Sequence, residues 1–278
     1  AIGAPIHIKN NIIGAIFMTR DTVHFDKEDV YSLNILSNYM GSALESAKLY
    51  ENIKKDYLNT IYALAAAVDA KDHYTHGHST TVMKYAVKIA QAIGLQEDHV
   101  ETIKYAALLH DIGKIGISES IINKPGRLTG EEYSIIKMHP QMGANIISKI
   151  DSLKKLVPLM IAHHEWIDGN GYPLGLRGEE IPLGGKIIAV ADAYSTITSK
   201  RPYREARTME EGIKEMRKYA GTQFDKEVVE AFVKVLLQEA KEEISALDNN
   251  HSGLKEELLC LLDGRQLQAL EALLNNII

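Results

Sequence analysis

Cysteine is nearly missing: Cys260 is the single one in 278 residues, so no internal disulfide can staple the fold. That usage suits a chain kept in a reducing compartment, and the cytoplasm is the expected location. Long apolar runs are missing too. The longest, 156-LVPLMIA-162 and 187-IIAVA-191, fall far short of the roughly 20 residues that span a bilayer, and no signal peptide opens the chain. An excess of positive charge is also lacking. With 31 basic against 37 acidic residues the net charge is -6, which argues against broad nucleic-acid binding and leaves room only for a local basic patch that holds a small anion. The chain starts 1-AIGAPIHI-8 without Met, so a longer parent protein is expected. What remains, 45% hydrophobic and 24% charged residues, is the composition of an ordinary soluble globular protein with a sizeable core.

Residues 4-APIHIKNNIIGAIFMT-19 alternate as two short strands joined by a turn at Lys9, Asn10 and Asn11. From Asp26, a candidate N-cap, a helical pattern runs without Pro to about Asp69. Leu33, Leu36, Met40, Ala43, Ala47, Tyr50, Lys54, Tyr57, Ile61, Leu64 and Val68 repeat along it in steps of three and four, with Lys54 as the one polar interruption. Such a seam either packs on the neighbouring domains or pairs two copies in a parallel coiled coil, and a homodimer through residues 27–69 is the expectation. Sedimentation as a monomer at micromolar concentration would count against it.

Beyond residue 70 the pattern is helical almost throughout, which makes the fold class mainly α. Turns are expected at 72-DHYTHG-77, Gly94, 123-NKPGRLTG-130, 168-DGNGYPLGLRGEEIPLGG-185 and 200-KRPY-203. Thr129 and Glu132 form a capping box, and Pro140 suits the first turn of a helix. The 18-residue stretch from Asp168, with six Gly and two Pro, is longer than packing requires and is a candidate functional loop. The end of the chain, 254-LKEELLCLLDGRQLQALEALLNNII-278, is amphipathic without site chemistry.

Histidines cluster at or near helix ends: His73, His76, His78, His110, His139, His163 and His164. In 104-KYAALLHDIGKIG-116 an apolar helix carries Asp111 toward the core, where a carboxylate costs several kcal/mol unless its charge is compensated. Asp192 sits in the apolar run 187-IIAVADAY-194. Imidazole and carboxylate ligands suit Fe, Mn or Zn, and a bound cation supplies the missing charge. Seven candidate ligands, His78, His110, Asp111, His139, His163, His164 and Asp192, are too many for one cation that also binds water. Two cations sharing Asp111 would use them all, the arrangement used for in-line attack on phosphorus.

The ordered motifs His78, His110-Asp111-Ile112-Gly113-Lys114, His139-Pro140, His163-His164-Glu165, Asp168-Gly169-Asn170-Gly171-Tyr172-Pro173, Asp192 and Arg201-Pro202-Tyr203-Arg204 resemble the HD-GYP phosphodiesterases, a branch of the HD-domain phosphohydrolases. The resemblance covers about residues 60 to 238. It implies an all-helical metal-dependent domain that hydrolyses the bacterial second messenger cyclic di-GMP to linear pGpG or GMP, with a hydroxide shared by two cations, iron or manganese, as nucleophile. It also implies that Asp111 bridges the cations and that Lys114 stands near the scissile phosphate. Arg201 and Arg204 match the family's phosphate and guanine contacts. Gly171, Tyr172 and Pro173 shape the long loop near the substrate, where diguanylate cyclase-type partner proteins are also expected to touch. Residues 1–55 more weakly resemble the closing portion of a GAF-like sensor domain, so the expected organisation is 1–55, a catalytic domain over 56–238, and a helical tail over 239–278.

Two departures from the family pattern stand out. A second Asp is usual three residues after Asp192, and here Ser195 takes its place, so an outer-shell interaction is expected to be missing and activity reduced. Some relatives hold a third metal with a Glu at the position of Tyr74, which has no carboxylate; two metals are therefore expected, with Asp69 and Asp72 as the only nearby substitutes. The alternatives are a weakly active cyclic dinucleotide receptor or scaffold, and hydrolysis of another cyclic dinucleotide such as cyclic GMP-AMP.

Overall fold

The structure, a computed structural model, describes residues 1–21, 24–72, 77–199 and 206–249, with side chains up to residue 242. It is mainly helical with one two-stranded sheet, and it divides into two compact units, Ala1–Thr60 and one from Ile61 onward. Arg201, Arg204, His73, Tyr74, His76, Cys260 and the stretch 254–278 lie outside the described residues.

In the first unit β1 (Ile2–Ile8) pairs antiparallel with β2 (Asn11–Met18), Ile2 opposite Met18 and Ile8 opposite Asn11. The turn falls at Lys9 and Asn10, with Lys9 in the left-handed region at φ 53°. Helix α1 (Lys27–Lys71) starts where the sequence places its cap. Asp26 Oδ1 accepts the N–H groups of Glu28 and Asp29, both at 2.9 Å, a cap that contributes about 1 kcal/mol. Gly41 allows the helix to lie against β1, since a Cβ there would strike the carbonyl of His7. Ser37 Oγ donates to the Pro5 carbonyl at 2.5 Å beside it.

The seam of α1 is divided by burial. Leu33 is buried in the first unit and Ile61 and Val68 in the second, so these three serve their own cores. Leu36 and Tyr50, between them, are 45% and 71% exposed. A heptad spacing alone does not separate the two uses.

The second unit continues with α2 (His78–Ala92), α3 (Glu97–Leu109), α4 (Glu119–Ile122), α5 (Gly130–Ile136), α6 (His139–Ile147), α7 (Val157–Ile161), α8 (Leu183–Thr198), α9 (Met209–Lys218) and α10 (Lys226–Asn249). The predicted capping box opens α5: Glu132 N–H donates to Thr129 Oγ1 at 3.2 Å and Thr129 N–H to Glu132 Oε2 at 2.7 Å. Pro140 stands in the first turn of α6, where its missing N–H costs nothing. The loop after Asp168 is shorter than expected, because a 3₁₀ turn forms at Gly178–Glu180 and α8 begins at Leu183.

The core lies where α2, α3, α8 and α10 meet, and it is built from Val82, Ile89, Leu108, Ile187, Ile188, Val190, Val229 and Phe232. Tyr85, Tyr194 and Phe232 form an edge-on triangle with ring centroids 4.9 to 5.3 Å apart. Each such pair contributes about 0.5–1.5 kcal/mol beyond burial and ties α8, which carries Asp192, to α2, which carries His78. Among the described residues no helix is long and apolar enough to cross a membrane. Helices α1 and α10 run unbroken through residues 55 and 238.

Candidate metal centre

Helix α3 drives Ala106, Ala107, Leu108 and Leu109 into the core at no more than 1% exposure and stops there. His110 keeps helical torsions as its C-cap, but Asp111 leaves the helix at φ −95°, ψ 4°, the bridge region common in active sites. The expectation that the apolar helix itself carries Asp111 is corrected: Asp111 lies beyond the helix, at the start of a 3₁₀ turn over Ile112–Gly116. Gly113 explains the position. A Cβ on it would strike the carbonyl of His139 and the N–H of Gly143, so only glycine lets this turn close on α6. That approach sets Asp111 Oδ1 at 3.1 Å from His139 Nε2.

The seven candidate ligands come together from five segments. His78, His110 and Asp192 offer donor atoms within 4.8 Å of one another, as do His139, His163 and His164, and as do His110, Asp111 and His163. Asp111 lies between the first two groups, Oδ1 toward His139 at 3.1 Å and Oδ2 toward His110 Nε2 at 3.3 Å. Neither Asp69 nor Asp72 belongs to these groups. Asp69 accepts from Ser79 Oγ at 2.6 Å, and Asp72 faces Lys114 at 3.3 Å, so the carboxylates considered as substitutes for a third site are engaged elsewhere.

Three of the histidines are oriented by one device. Nδ1 of His110, His139 and His163 lies 2.6, 2.8 and 2.5 Å from the carbonyl three residues earlier, on Ala107, Ile136 and Met160. A carbonyl only accepts, so Nδ1 donates in each ring and Nε2 is the atom left to bind a cation, which at His110 would replace the proton that Asp111 favours there. The consequence is a convergence of potential ligand atoms. His139 Nε2 and His163 Nε2 face each other at 3.3 Å, and His110 Nε2 is fully buried without an aligned hydrogen-bond partner. Lone pairs and carboxylate oxygens do not gather in a buried space unless a cation lies among them. Metal–ligand bonds of about 2.1 Å at right angles put ligand atoms about 3.0 Å apart, close to these separations. The donor set therefore fits divalent cations.

A family model described as HD domain matches residues 62–228. The chain belongs to the HD-domain family. It is 40% identical over 188 residues to a cyclic di-GMP phosphodiesterase of Thermotoga maritima, covering 67% of this chain and 50% of the relative. A cyclic di-GMP phosphodiesterase of Pseudomonas aeruginosa is 38% identical over 71% of this chain and 49% of its own length. A 3'3'-cGAMP-specific phosphodiesterase of Vibrio cholerae is 34% identical over 73% of this chain and 38% of its own. The chain thus spans about half or less of the curated relatives it matches. Among solved structures, a cyclic GMP-AMP specific phosphodiesterase of Vibrio cholerae shares the fold with a TM-score of 0.52 at 18% identity, over 76% of this chain and 57% of that one.

Within the HD domain the electrostatics ask for positive charge. Burial would depress His110, yet Asp111 outweighs it and the imidazole is pushed up to about 9. His164 goes the other way, lowered to about 3 by burial and by His139 beside it, and burial with His164 likewise lowers His163. Burial would raise the Asp111 carboxyl, but Lys114 and His110 hold it well below the usual carboxylate range. Lys114 Nζ lies 2.7 Å from Asp111 Oδ2, and although burial opposes its charge, Asp111 and Asp72 keep it protonated. It is no surface lysine, at 18% side-chain exposure.

The expected gap at Ser195 is filled. Ser195 Oγ lies 3.0 Å from His78 Nδ1 in a buried position, so a hydroxyl orients the ring whose Nε2 is 3.1 Å from Asp192. Ser195→Ala is expected to weaken metal affinity about 10- to 100-fold, the usual cost of losing a partner behind a ligand. Titration against a chelator of known affinity checks this, and a parental affinity would exclude the orienting role.

The centre opens into a cavity of about 430 Å³. Lys114 and Tyr172 line it, with the Tyr172 ring 4.8 Å from that of His164. Gly171 and Pro173 are not in its wall; Gly171 instead permits close backbone contact with Glu165 and Trp166. Glu165, which the sequence offers only as part of a motif, accepts the N–H groups of Leu174, Gly175 and Leu176 at 2.6 to 3.2 Å and folds the loop. Arg207 and Glu215, paired at 3.2 Å, and Gln223 also line it. Nothing in their local sequence marked them as neighbours of the centre.

Proposed function

We propose that the chain is a metal-dependent phosphodiesterase of the HD-GYP branch that hydrolyses cyclic di-GMP to linear pGpG or GMP. The observation that carries this reading is the buried convergence of acceptor atoms in two groups joined by Asp111 beneath an open cavity. The names of the relatives supply the substrate class. Two cations, iron or manganese by the mixed imidazole and carboxylate donors, would activate water and offset charge on phosphorus. His78, His110 and Asp192 would hold one, His139, His163 and His164 the other, and Asp111 both.

The protein's own part is to position and to exclude alternatives. Lys114, held protonated at the cavity wall, would stabilise charge developing on a phosphoryl oxygen, a contribution of about 2.7–4 kcal/mol for one such donor in other enzymes. Tyr172, stacked on His164, would bound the substrate on the loop side. Arg201 and Arg204 are proposed as phosphate and base contacts on the resemblance alone. The exposed Leu174 on the same loop is where contact with a cyclase-type partner protein is proposed. The hairpin and α1 are proposed as the close of a GAF-like sensor, with the exposed stretch around Leu36 and Tyr50 pairing two copies in the cytoplasm.

Cyclic GMP-AMP is the second substrate to test, because relatives of similar identity carry that name. A receptor without turnover loses the support it drew from Ser195, whose hydroxyl occupies the outer-shell place. The deciding experiment is metal content of anaerobically purified protein, followed by product analysis with cyclic di-GMP and cyclic GMP-AMP. Two equivalents of iron or manganese with linear product or GMP is the expected result. Two metals without product from either dinucleotide would refute the enzyme, and faster cleavage of cyclic GMP-AMP would reassign the substrate.

A further inference from the structure

The end of α1 does not stop in solvent; Asp69 and Lys71 of its last turn, and Asp72 directly after it, reach segments that carry the candidate centre. Lys71 Nζ donates to the backbone carbonyls of Ile115 at 2.7 Å and Ile117 at 2.6 Å, which close the 3₁₀ turn behind Asp111 and Lys114. Asp72 Oδ2 stands 3.3 Å from Lys114 Nζ, the ammonium that Asp111 also engages at 2.7 Å. Asp69 Oδ1 accepts from Ser79 Oγ at 2.6 Å and Oδ2 from the Ser79 N–H at 3.3 Å, fixing the first turn of α2 beside His78. In return Asn123 Nδ2 donates to the carbonyl of Lys71 at 2.9 Å, so the contact is held from both segments.

A lysine in the final turn of a helix ordinarily offers its charge to the carbonyls of its own helix end. Lys71 instead satisfies carbonyls 44 and 46 residues away, at a turn whose last acceptors have no partner within it. Nor is Lys114 free to swing, since Asp72 and Asp111 both hold its ammonium. Two segments separated by more than thirty residues, one bearing His78 and one bearing Asp111 and Lys114, are thus referenced to a single helical turn.

We propose that Asp69, Lys71 and Asp72 are positioning residues through which the end of α1 sets the placement of His78 and Lys114, making this turn the control point of the centre. The inference rests on the phosphodiesterase reading for its rate effect but not for its structural effect. Because the three side chains leave one turn, a rotation or shift of that turn reaches the centre through them. Loss of the contacts slows turnover without emptying the metal sites, since none of the three is a ligand candidate.

The test uses the full chain and Lys71→Met, which keeps the stem and removes the charge, with Lys71→Arg as the conservative variant able to donate to both carbonyls. For cyclic di-GMP, kcat is expected to fall about 10- to 100-fold in Lys71→Met, with KM and metal content within about two-fold of the parent and recovery in Lys71→Arg. Amide hydrogen exchange in the metal-loaded protein is expected to quicken at residues 112–117 in Lys71→Met and to return to the parental rate in Lys71→Arg. A parental kcat in Lys71→Met overturns the proposal, as does a loss shared equally with metal content and thermal midpoint. If the parent itself turns over no cyclic dinucleotide, the phosphodiesterase reading fails separately and exchange decides: unchanged protection at 112–117 overturns the positioning role.

Discussion

Asp111→Ala is expected to remove both cations and, with them, turnover by about 10³-fold or more, because one carboxylate serves both donor groups. The argument follows from the surroundings of Asp111. Its oxygens lie 3.1 Å from His139, 3.3 Å from His110 and 2.7 Å from Lys114, so its removal leaves a buried ammonium facing lone-pair donors with no anion between them. Such an unbalanced set repels a cation instead of collecting one. A further readout is independent of activity. A ligand that binds only the folded state stabilises it, so manganese should raise the thermal midpoint of the parent and leave that of Asp111→Ala unchanged. Two bound equivalents in the variant, or a parental rate, would show that the two groups do not depend on this residue.

The centre was largely legible because its chemistry is carried by residue type and order. Buried Asp and His near helix ends are costly without a purpose, and seven of them in one helical domain narrowed the purpose to metal. What escaped notice depended on partners remote in sequence. Ser195 reads as a deficit in sequence because its partner, the His78 ring, lies 117 residues away. Asp69 and Asp72 read as spare carboxylates, whereas Ser79 and Lys114 engage them. The helical reading of Asp111 failed because α3 ends for a tertiary reason, the docking of Gly113 on α6, which local propensity does not encode. The seam of α1 shows a different limit: its spacing is real, but a three-four repeat describes a stripe without saying whose surface buries it, and Leu33, Ile61 and Val68 are buried by their own units while Leu36 and Tyr50 are exposed.

Gly113 also carries the second large effect. In Gly113→Ala the new methyl must displace the backbone at His139 and Gly143, and backbone yields less readily than a side-chain tip. Overpacking of this kind costs about 1–3 kcal/mol, and the metal-free protein should lose stability by that amount or more. The functional loss should be larger than the stability loss implies. Closing the 3₁₀ turn on α6 is what sets Asp111 at 3.1 Å from His139, and a displacement near 1 Å at such a pair costs about 100-fold in rate. Gly116→Ala supplies the comparison within the same turn, since its methyl would meet only Met142 Sδ, at 3.1 Å, the flexible end of a side chain that can move aside. We expect Gly116→Ala to keep the metal content and rate of the parent while Gly113→Ala loses both, as read by metal analysis, turnover and thermal midpoint. Equal behaviour of the two variants would mean that the 3₁₀ turn tolerates separation from α6, and that the bridge at Asp111 is held by the cations themselves instead of by the closeness of two backbones.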